Sequence, residues 1–214
     1  MLQQTNTLIF DLDGTISDPS LGIFRCINHA LMSHGLPEIS REMVATHIGP
    51  PLDEIFKKLR TEAGEKLVSS LVSAYRQRYA EAGYAENELY PGVPDALREL
   101  SGCGVRLGVC TSKRKDFAEK ILSMFDLVSH FGFVDGGDIG ISKRNQLSGL
   151  IRSKTIDRRA VMIGDREVDI SAAKANGLRS VGVLWGFGTA NELAEAGADM
   201  IISDPGELGQ LAQG

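Results

Sequence analysis

The run Thr7-Leu8-Ile9-Phe10-Asp11-Leu12-Asp13-Gly14-Thr15 passes abruptly from apolar residues to an acidic turn. A short apolar run that stops at a turn predicts a buried strand, here Thr7 to Phe10, with polar groups at its carboxyl end. A lone strand cannot satisfy its own backbone hydrogen bonds. We therefore expect this strand to belong to a sheet whose other strands come from later parts of the chain.

Downstream of Pro91, helical stretches alternate with short runs rich in β-branched residues. The predicted strands in this part are Val105 to Cys110, Phe131 to Val134, Ala160 to Ile163, Ser180 to Leu184 and Met200 to Ile202. Strands that alternate with helices predict right-handed βαβ crossovers and a parallel sheet covered on both faces. The sequence therefore predicts the α/β class, with a Rossmann-like core.

A helical insertion is predicted between the first strand and the rest of the sheet. Helical spacing of apolar residues indicates four consecutive helices: Leu21 to Leu31, Ser40 to Ile48, Pro51 to Leu59 and Leu67 to Tyr79. The predicted boundaries are residues 1–17 and 89–214 for the core and 18–88 for the helical subdomain. An insertion at this point lies at the carboxyl ends of the strands, where open α/β sheets bind ligands.

Composition narrows the classes of partner. The chain has 214 residues, 43% of them hydrophobic, and a formal net charge of -5 with no basic block. This balance argues against a nucleic-acid polymer or a membrane surface as partner. Residues 1–6 lack signal-peptide features, and no apolar run approaches the ~18 residues of a membrane span. We expect a soluble, cytoplasmic protein, monomeric or homodimeric.

Polar side chains follow the ends of three predicted strands. They are Asp11 and Asp13 after the first, Thr111, Ser112 and Lys113 after the second, and Asp165 with Asp169 after the strand that ends at Ile163. Parallel strands bring these ends together, and converging carboxylates repel one another unless a cation neutralises them. An all-oxygen set suits Mg²⁺. Gly14 and Gly164 leave amide groups free to hold an anion, so we expect a phosphate beside the metal.

These motifs resemble, in order, the four motifs of the haloacid dehalogenase-like (HAD) phosphatases. The matching elements are Asp11-Leu12-Asp13-Gly14-Thr15, the strand that ends in Thr111, Lys143, and Gly164-Asp165-x-x-x-Asp169. They span almost the whole chain. The resemblance implies an HAD core with an inserted four-helix cap of the C1 type. Ile48 to Leu52 and Trp185-Gly186-Phe187-Gly188 are similar to the phosphoglycolate phosphatase-like and 5′-nucleotidase-like branch.

The resemblance also implies a role for each motif residue. Asp11 is the expected nucleophile, which forms an aspartyl-phosphate. Asp13 is the expected general acid and base, and Lys143 neutralises phosphate charge and restrains Asp11. The implied phosphate-binding residues are Leu12, Asp13, Thr111, Ser112 and Lys143. The implied Mg²⁺ ligands are Asp11, Asp13 through its backbone carbonyl, Asp165 and Asp169.

Three of these aspartates also have a structural interpretation. Asp13 before Gly14 is typical of a turn, and Asp165 after Gly164 is typical of a helix cap. Asp169, four residues after Asp165, also fits a solvated helix face. The alternative cations for the position of Lys143 are Arg144, Lys154 and Lys113.

The expected reaction is hydrolysis of a small phosphorylated metabolite. Dehalogenation is disfavoured by Asp13, Asp165 and Asp169. The dehalogenases of this superfamily use the same aspartate nucleophile, but they need no metal and lack the acid and base aspartate two residues further on. A β-phosphoglucomutase-like transfer is an alternative, since the same acid and base serve a mutase. A catalytically silent binding module is another, although no site residue is missing. The sequence does not identify the phosphomonoester.

Overall fold

The structure is a computed structural model that describes residues 7–45, 52–137 and 141–212. The chain forms two compact units. It passes from the first to the second between Asp18 and Pro19, and it returns to the first between Glu88 and Leu89. Residues 48–51, which belong to the Ile48 to Leu52 segment that carried part of the resemblance, lie outside the described residues. None of the described helices has the length and apolar character that a membrane span requires.

A parallel sheet forms the centre of the unit that contains both chain ends. The described strands are β1 (Thr7–Phe10), β2 (Ser17–Asp18), β3 (Glu88–Leu89), β4 (Arg106–Arg114), β5 (Phe131–Gly137), β6 (Val161–Gly164), β7 (Arg179–Val183) and β8 (Met200–Ile202). Six of them pair in the order β5-β4-β1-β6-β7-β8, whereas β2 pairs with β3. The predicted α/β class and parallel sheet are confirmed.

The described α-helices fall on both sides of the crossing at Glu88. They are α1 (Ser20–Ser33), α2 (Arg41–Ala45), α3 (Leu52–Leu59), α4 (Glu65–Glu81), α5 (Val93–Gly102), α6 (Lys115–Met124), α7 (Lys143–Arg152), α8 (Glu167–Ala175) and α9 (Ala190–Ala196). The first four belong to the unit Pro19–Glu88. There α4 packs against α1 and α3, and Tyr75 stacks on Tyr79. The remaining five helices accompany the parallel sheet.

One predicted strand end was wrong. The sequence placed Thr111 to Lys113 after the second strand, but β4 continues through Arg114. Thr111 still pairs with Gly136 of β5, and Arg114 pairs with Gly137 after an irregularity in the register. The additional backbone pairing extends the strand past the polar residues. The side chains concerned nevertheless remain at the carboxyl end of the sheet.

The packing of α7 and α8 on the sheet determines where their first turns lie. Leu147 of α7 and Ala173 of α8 join a buried cluster with Ile9, Cys110 and Met162, which come from the three central strands. Full burial of an aliphatic side chain contributes roughly 1.5–3 kcal/mol, so this cluster anchors both helices firmly. The first residues of α7 and α8 are thereby held at the carboxyl edge of β1 and β6.

Candidate active site

Asp11 lies directly after β1, the strand enclosed by β4 and β6. Its backbone N–H donates to the carbonyl of Ile163 at 2.9 Å, which continues the parallel pairing for one residue. Asp11 is only 8% exposed. The N–H of Leu12 donates to Asp11 Oδ1 at 2.8 Å, and Lys143 Nζ lies 2.9 Å from Oδ2. Both carboxylate oxygens of Asp11 are therefore held in place.

Lys143 is the first residue of α7 and is 1% exposed. Its ammonium group contacts Asp11 and Asp169. Burial lowers the pKa of Lys143, but the two carboxylates outweigh burial and raise the pKa well above its usual range. Lys143 is therefore positively charged. Of the alternative cations, Arg144 is exposed on the same helix, and Lys154 lines a groove with Thr7, where β1 begins.

Asp165 follows β6 and is completely buried. Thr15 Oγ1 donates to its Oδ1 at 3.3 Å, and the N–H of Phe187 donates to its Oδ2 at 2.8 Å. Burial, together with the carboxylates of Asp11 and Asp169, raises the pKa of Asp165 to about 7. The residue that caps α8 is Arg166. The interpretation of Asp165 as an ordinary helix cap is therefore wrong.

Asp169 lies in the first turn of α8 and is completely buried. The alternative that it occupies a solvated helix face is wrong. Its Oδ2 accepts a hydrogen bond from the N–H of Arg166 at 3.1 Å, and its Oδ1 contacts Lys143. Burial raises the pKa of Asp169 to about 6, against the opposing effect of Lys143. Asp169 thus stabilises the helix start and contributes charge to the cluster.

The three buried carboxylates form an arrangement that fits a divalent cation. One oxygen each from Asp11, Asp165 and Asp169 can be chosen so that all lie within 4.8 Å of one another. These oxygens are hard ligands of the kind that Mg²⁺ prefers. Lys143 supplies one positive charge to three acidic groups, so a divalent ion would complete the neutralisation.

Two glycines leave the space that Asp165 occupies. Gly14 has a left-handed backbone with φ of +83°, and a Cβ there would overlap the Asp165 carboxylate. A Cβ on Gly186 would approach the Asp165 side chain within 2.5 Å. Glycine is the residue that adopts positive φ without steric cost and permits such close backbone approach. The acidic cluster is therefore enclosed by backbone on two sides.

Asp13 adjoins this cluster and is partly exposed. Lys113 Nζ lies 2.8 Å from its Oδ2. Its Oδ1 is buried without a hydrogen-bond partner among the described residues. Burial raises the pKa of Asp13, whereas Lys113 acts in the opposite direction. Asp13 directly precedes a turn at Gly14 to Ile16 and forms a β-bridge with Ser17 across it, so a role at the turn and a chemical role are compatible.

Thr111 and Ser112 lie near the end of β4. Phe10 pairs with Val109, which places Thr111 at the same edge as Asp11 and Asp13. Thr111 is buried, and its carbonyl accepts a hydrogen bond from Gln146 Nε2 at 3.0 Å. Ser112 is exposed. The structure therefore brings both residues to the carboxyl edge of the sheet.

The loop after β7 contributes contacts that the sequence only partly indicated. This loop contains Trp185-Gly186-Phe187-Gly188, the run that resembles the phosphoglycolate phosphatase-like and 5′-nucleotidase-like branch. Trp185 Nε1 donates to the carbonyl of Thr15 at 2.9 Å, and Phe187 donates to Asp165. Thr15 and Phe187 are partners of Asp165 that the sequence pattern did not predict. Paired glycines around aromatic residues were the available signal, because they allow close backbone approach.

Comparison with known proteins agrees with this geometry. A family model described as "Haloacid dehalogenase-like hydrolase" matches residues 8–183. The chain belongs to this family. The four motifs that carried the family resemblance, from Asp11 to Asp169, lie within the matched range. Family membership accounts for the parallel sheet and for the acidic residues at its carboxyl edge.

Relatives within the family carry several names. "Tyrosine-protein kinase PtkA" of Mycobacterium tuberculosis is 37% identical over 86% of this chain and 64% of the relative. "5'-nucleotidase" of Pseudomonas aeruginosa is 35% identical over 87% of this chain and 86% of the relative. "Phosphoglycolate phosphatase" of Aquifex aeolicus is 27% identical over 95% of each. The chain thus spans less than two thirds of the kinase relative. The matches named 5'-nucleotidase and phosphoglycolate phosphatase confirm the predicted branch of the family.

A solved structure of the same family has the same fold. "Hydrolase, haloacid dehalogenase-like family protein SP0104 from Streptococcus pneumoniae" superposes with a TM-score of 0.87 at 27% identity. The match covers 95% of this chain and 96% of that one. The likeness includes the helical unit as well as the sheet, because so little of either chain is left out.

Proposed function

We propose that the chain is a Mg²⁺-dependent phosphatase that hydrolyses a small phosphomonoester through an aspartyl-phosphate on Asp11. The observation that carries this proposal is the convergence of Asp11 with Lys143, Asp165 and Asp169 in one buried cluster. A carboxylate held beside a fixed cation can approach a phosphate dianion, which an isolated carboxylate would repel.

The reaction has two steps. Asp11 attacks phosphorus, the bond to the leaving oxygen breaks, and Asp13 donates a proton to that oxygen. Asp13 then removes a proton from a water molecule, which attacks the phosphorus of the aspartyl-phosphate. This second step releases inorganic phosphate and restores the Asp11 carboxylate. Asp13 ends the cycle with the proton it started with.

The remaining residues of the site bind charge. Lys143 neutralises a nonbridging phosphate oxygen and restrains Asp11. Thr111 and the amide of Ser112 donate to phosphate oxygens. The amide of Leu12, which donates to Asp11 Oδ1 in this structure, turns to the phosphate when the substrate binds. Mg²⁺, when bound, withdraws charge from the phosphoryl group as a Lewis acid. The residues that would hold it are Asp11, Asp165, Asp169 and the backbone carbonyl of Asp13.

The names of the relatives favour phosphoglycolate or a nucleoside monophosphate as the substrate. Both are small phosphomonoesters. A panel with these compounds, sugar phosphates and pyrophosphate, ranked by kcat/KM, tests the choice. Preferential conversion of one sugar phosphate isomer into another would support the mutase alternative instead.

The central experiment measures phosphate release from 4-nitrophenyl phosphate with Mg²⁺ and with a chelator. We expect turnover only with Mg²⁺, and none from Asp11→Asn, whose shape is conserved while its nucleophilic charge is lost. Asp95→Asn, at an exposed ion pair with Arg98, is the matched control and should retain full activity. A wild-type protein without metal-dependent turnover would support the silent binding module.

A second candidate is transfer of the phosphoryl group to a tyrosine. The 37% identity with the relative named as a tyrosine kinase favours testing it. Incubation with γ-labelled ATP separates the two functions. Label that hydroxylamine removes resides on an aspartate, and its release as inorganic phosphate supports the phosphatase. Stable label on tyrosine supports the kinase.

A further inference from the structure

The carboxyl group of Asp13 forms an ion pair with one cation among the described residues, Lys113. Lys113 Nζ lies 2.8 Å from Asp13 Oδ2. Asp13 Oδ1 is buried and has no hydrogen-bond partner among the described residues. Because Oδ1 is buried, Oδ2 is the oxygen that a leaving group can reach. The contact with Lys113 therefore falls on the oxygen that matters for proton transfer.

Lys113 is well placed to fix that oxygen. Its side chain is 9% exposed, against 27% for Asp13, so solvent screens the pair much less than it screens an ordinary surface ion pair. The backbone of Lys113 is fixed too, since its N–H donates to Thr111 Oγ1 at 3.2 Å. Lys113 thus reaches from the end of β4 across to the turn after β1.

The carboxyl group of Asp13 has little else to determine its orientation. A buried polar atom without a hydrogen-bond partner costs free energy, so the environment of Oδ1 destabilises this rotamer of Asp13. The Lys113 ion pair offsets that cost. A protonated carboxyl oxygen keeps acceptor capacity, so Oδ2 can donate its proton to a leaving oxygen while it accepts a hydrogen bond from Lys113.

We propose that Lys113 is a positioning residue that holds Asp13 Oδ2 where it exchanges a proton with the leaving oxygen. This inference rests on the proposed phosphatase function. Lys113 touches neither the phosphorus nor the nucleophile in this assignment. Its effect passes through Asp13, because proton transfer requires the acid within hydrogen-bond reach of the leaving oxygen.

The role has a kinetic signature that depends on the leaving group. A phenolate with a strongly withdrawing substituent departs without protonation, whereas unsubstituted phenolate needs the proton. Lys113→Met should therefore lower kcat/KM for phenyl phosphate on the order of tenfold to a hundredfold, and for 2,4-dinitrophenyl phosphate by less than about threefold. Lys113→Arg should restore most of the loss, since it keeps a donor and a positive charge.

The matched control is Arg114→Met, which removes the adjacent cation of β4. Arg114 is exposed and paired with Asp116, so both esters should keep the wild-type rates. A double variant that carries Asp13→Asn and Lys113→Met should be no more sensitive to the leaving group than Asp13→Asn alone. Equal losses on both esters, or an additive effect in the double variant, would overturn the proposal.

A crystal structure of Lys113→Met tests the inference without turnover. We expect the Asp13 carboxyl group to leave its present rotamer, and an unchanged rotamer overturns the proposal. Failure of the wild-type protein to hydrolyse either ester would contradict the proposed function. In that case the position of Asp13 in the variant still decides whether Lys113 positions it.

Discussion

The ammonium group of Lys143 lies 2.9 Å from Asp11 Oδ2 and also contacts Asp169. One buried cation therefore joins the residue after β1 to the first turn of α8. Removal of one member of a buried ion pair leaves an uncompensated charge and is strongly destabilising. The contact thus makes the site a contributor to stability as well as to chemistry.

Lys143→Met should lower the free energy of unfolding by about 3–5 kcal/mol in a chelating buffer, because Asp11 and Asp169 lose their cation. Mg²⁺ should raise the Tm of this variant more than that of the wild type, since it then supplies the missing positive charge. Thermal denaturation with chelator and with Mg²⁺ measures both effects. The control Arg144→Met removes an exposed cation and should change stability by less than about 0.5 kcal/mol. A Lys143→Met protein as stable as wild type in chelator would contradict the assignment.

The contribution of Asp165 to the stability of the metal-free protein should fall as the pH rises. The pKa of Asp165 moves from its ordinary 3.8 to about 7 in the folded state, through burial and the carboxylates of Asp11 and Asp169. The folded state therefore holds a proton that the unfolded chain releases near pH 4. The resulting stabilisation is complete below that pH and is lost as the pH approaches 7. The raised pKa of Asp169, about 6, acts in the same direction.

Urea unfolding at several pH values in chelator measures this trend. Asp165→Asn should flatten the slope between pH 4 and pH 7, because the amide does not titrate. Asp95→Asn, which changes an exposed acid outside the site, should keep the wild-type slope. A wild-type slope equal to that of Asp165→Asn would show that Asp165 is ionised throughout this window.

Gly14→Ala should damage the acidic cluster through direct overlap. A Cβ at this position would overlap the Asp165 carboxylate, and φ of +83° adds strain. We expect the overlap to displace Asp165 and to weaken Mg²⁺ binding, measured by isothermal titration calorimetry. Gly104→Ala is a matched control, because Gly104 has φ of +77° but nothing within 4 Å of its Cβ position. Backbone strain alone costs roughly 1–2 kcal/mol, so the control should lose stability but keep the metal affinity.

The sequence predicted the site wherever a short segment determines both backbone and chemistry. Asp11 follows a short apolar run, and a run of that kind predicts a buried strand with polar groups at its carboxyl end. The pairing of Lys113 with Asp13 could not be predicted in this way, because it depends on how far β4 extends and on how two neighbouring strand ends face each other. The complete burial of Asp169 depends on the packing of α7 against α8, which no local pattern encodes.

Trp185 should report metal binding. It is the single tryptophan of the chain, and its Nε1 donates to the carbonyl of Thr15, whose hydroxyl donates to Asp165. Phe187, two residues on, donates to the other oxygen of Asp165. A ligand that draws the Asp165 carboxylate toward itself therefore changes the hydrogen bonds from Thr15 and Phe187, and with them the surroundings of the indole.

Titration with Mg²⁺ should accordingly produce a saturable change in tryptophan fluorescence, with no substrate present. Asp165→Asn should abolish the change, because the amide is a weak Mg²⁺ ligand, whereas Asp95→Asn should reproduce the wild-type curve. The midpoint should agree with the Mg²⁺ concentration that half-activates phosphate release, since one ion accounts for both. An equal response from Asp165→Asn would mean that the fluorescence reports an ion bound elsewhere, and it would remove Asp165 from the metal site.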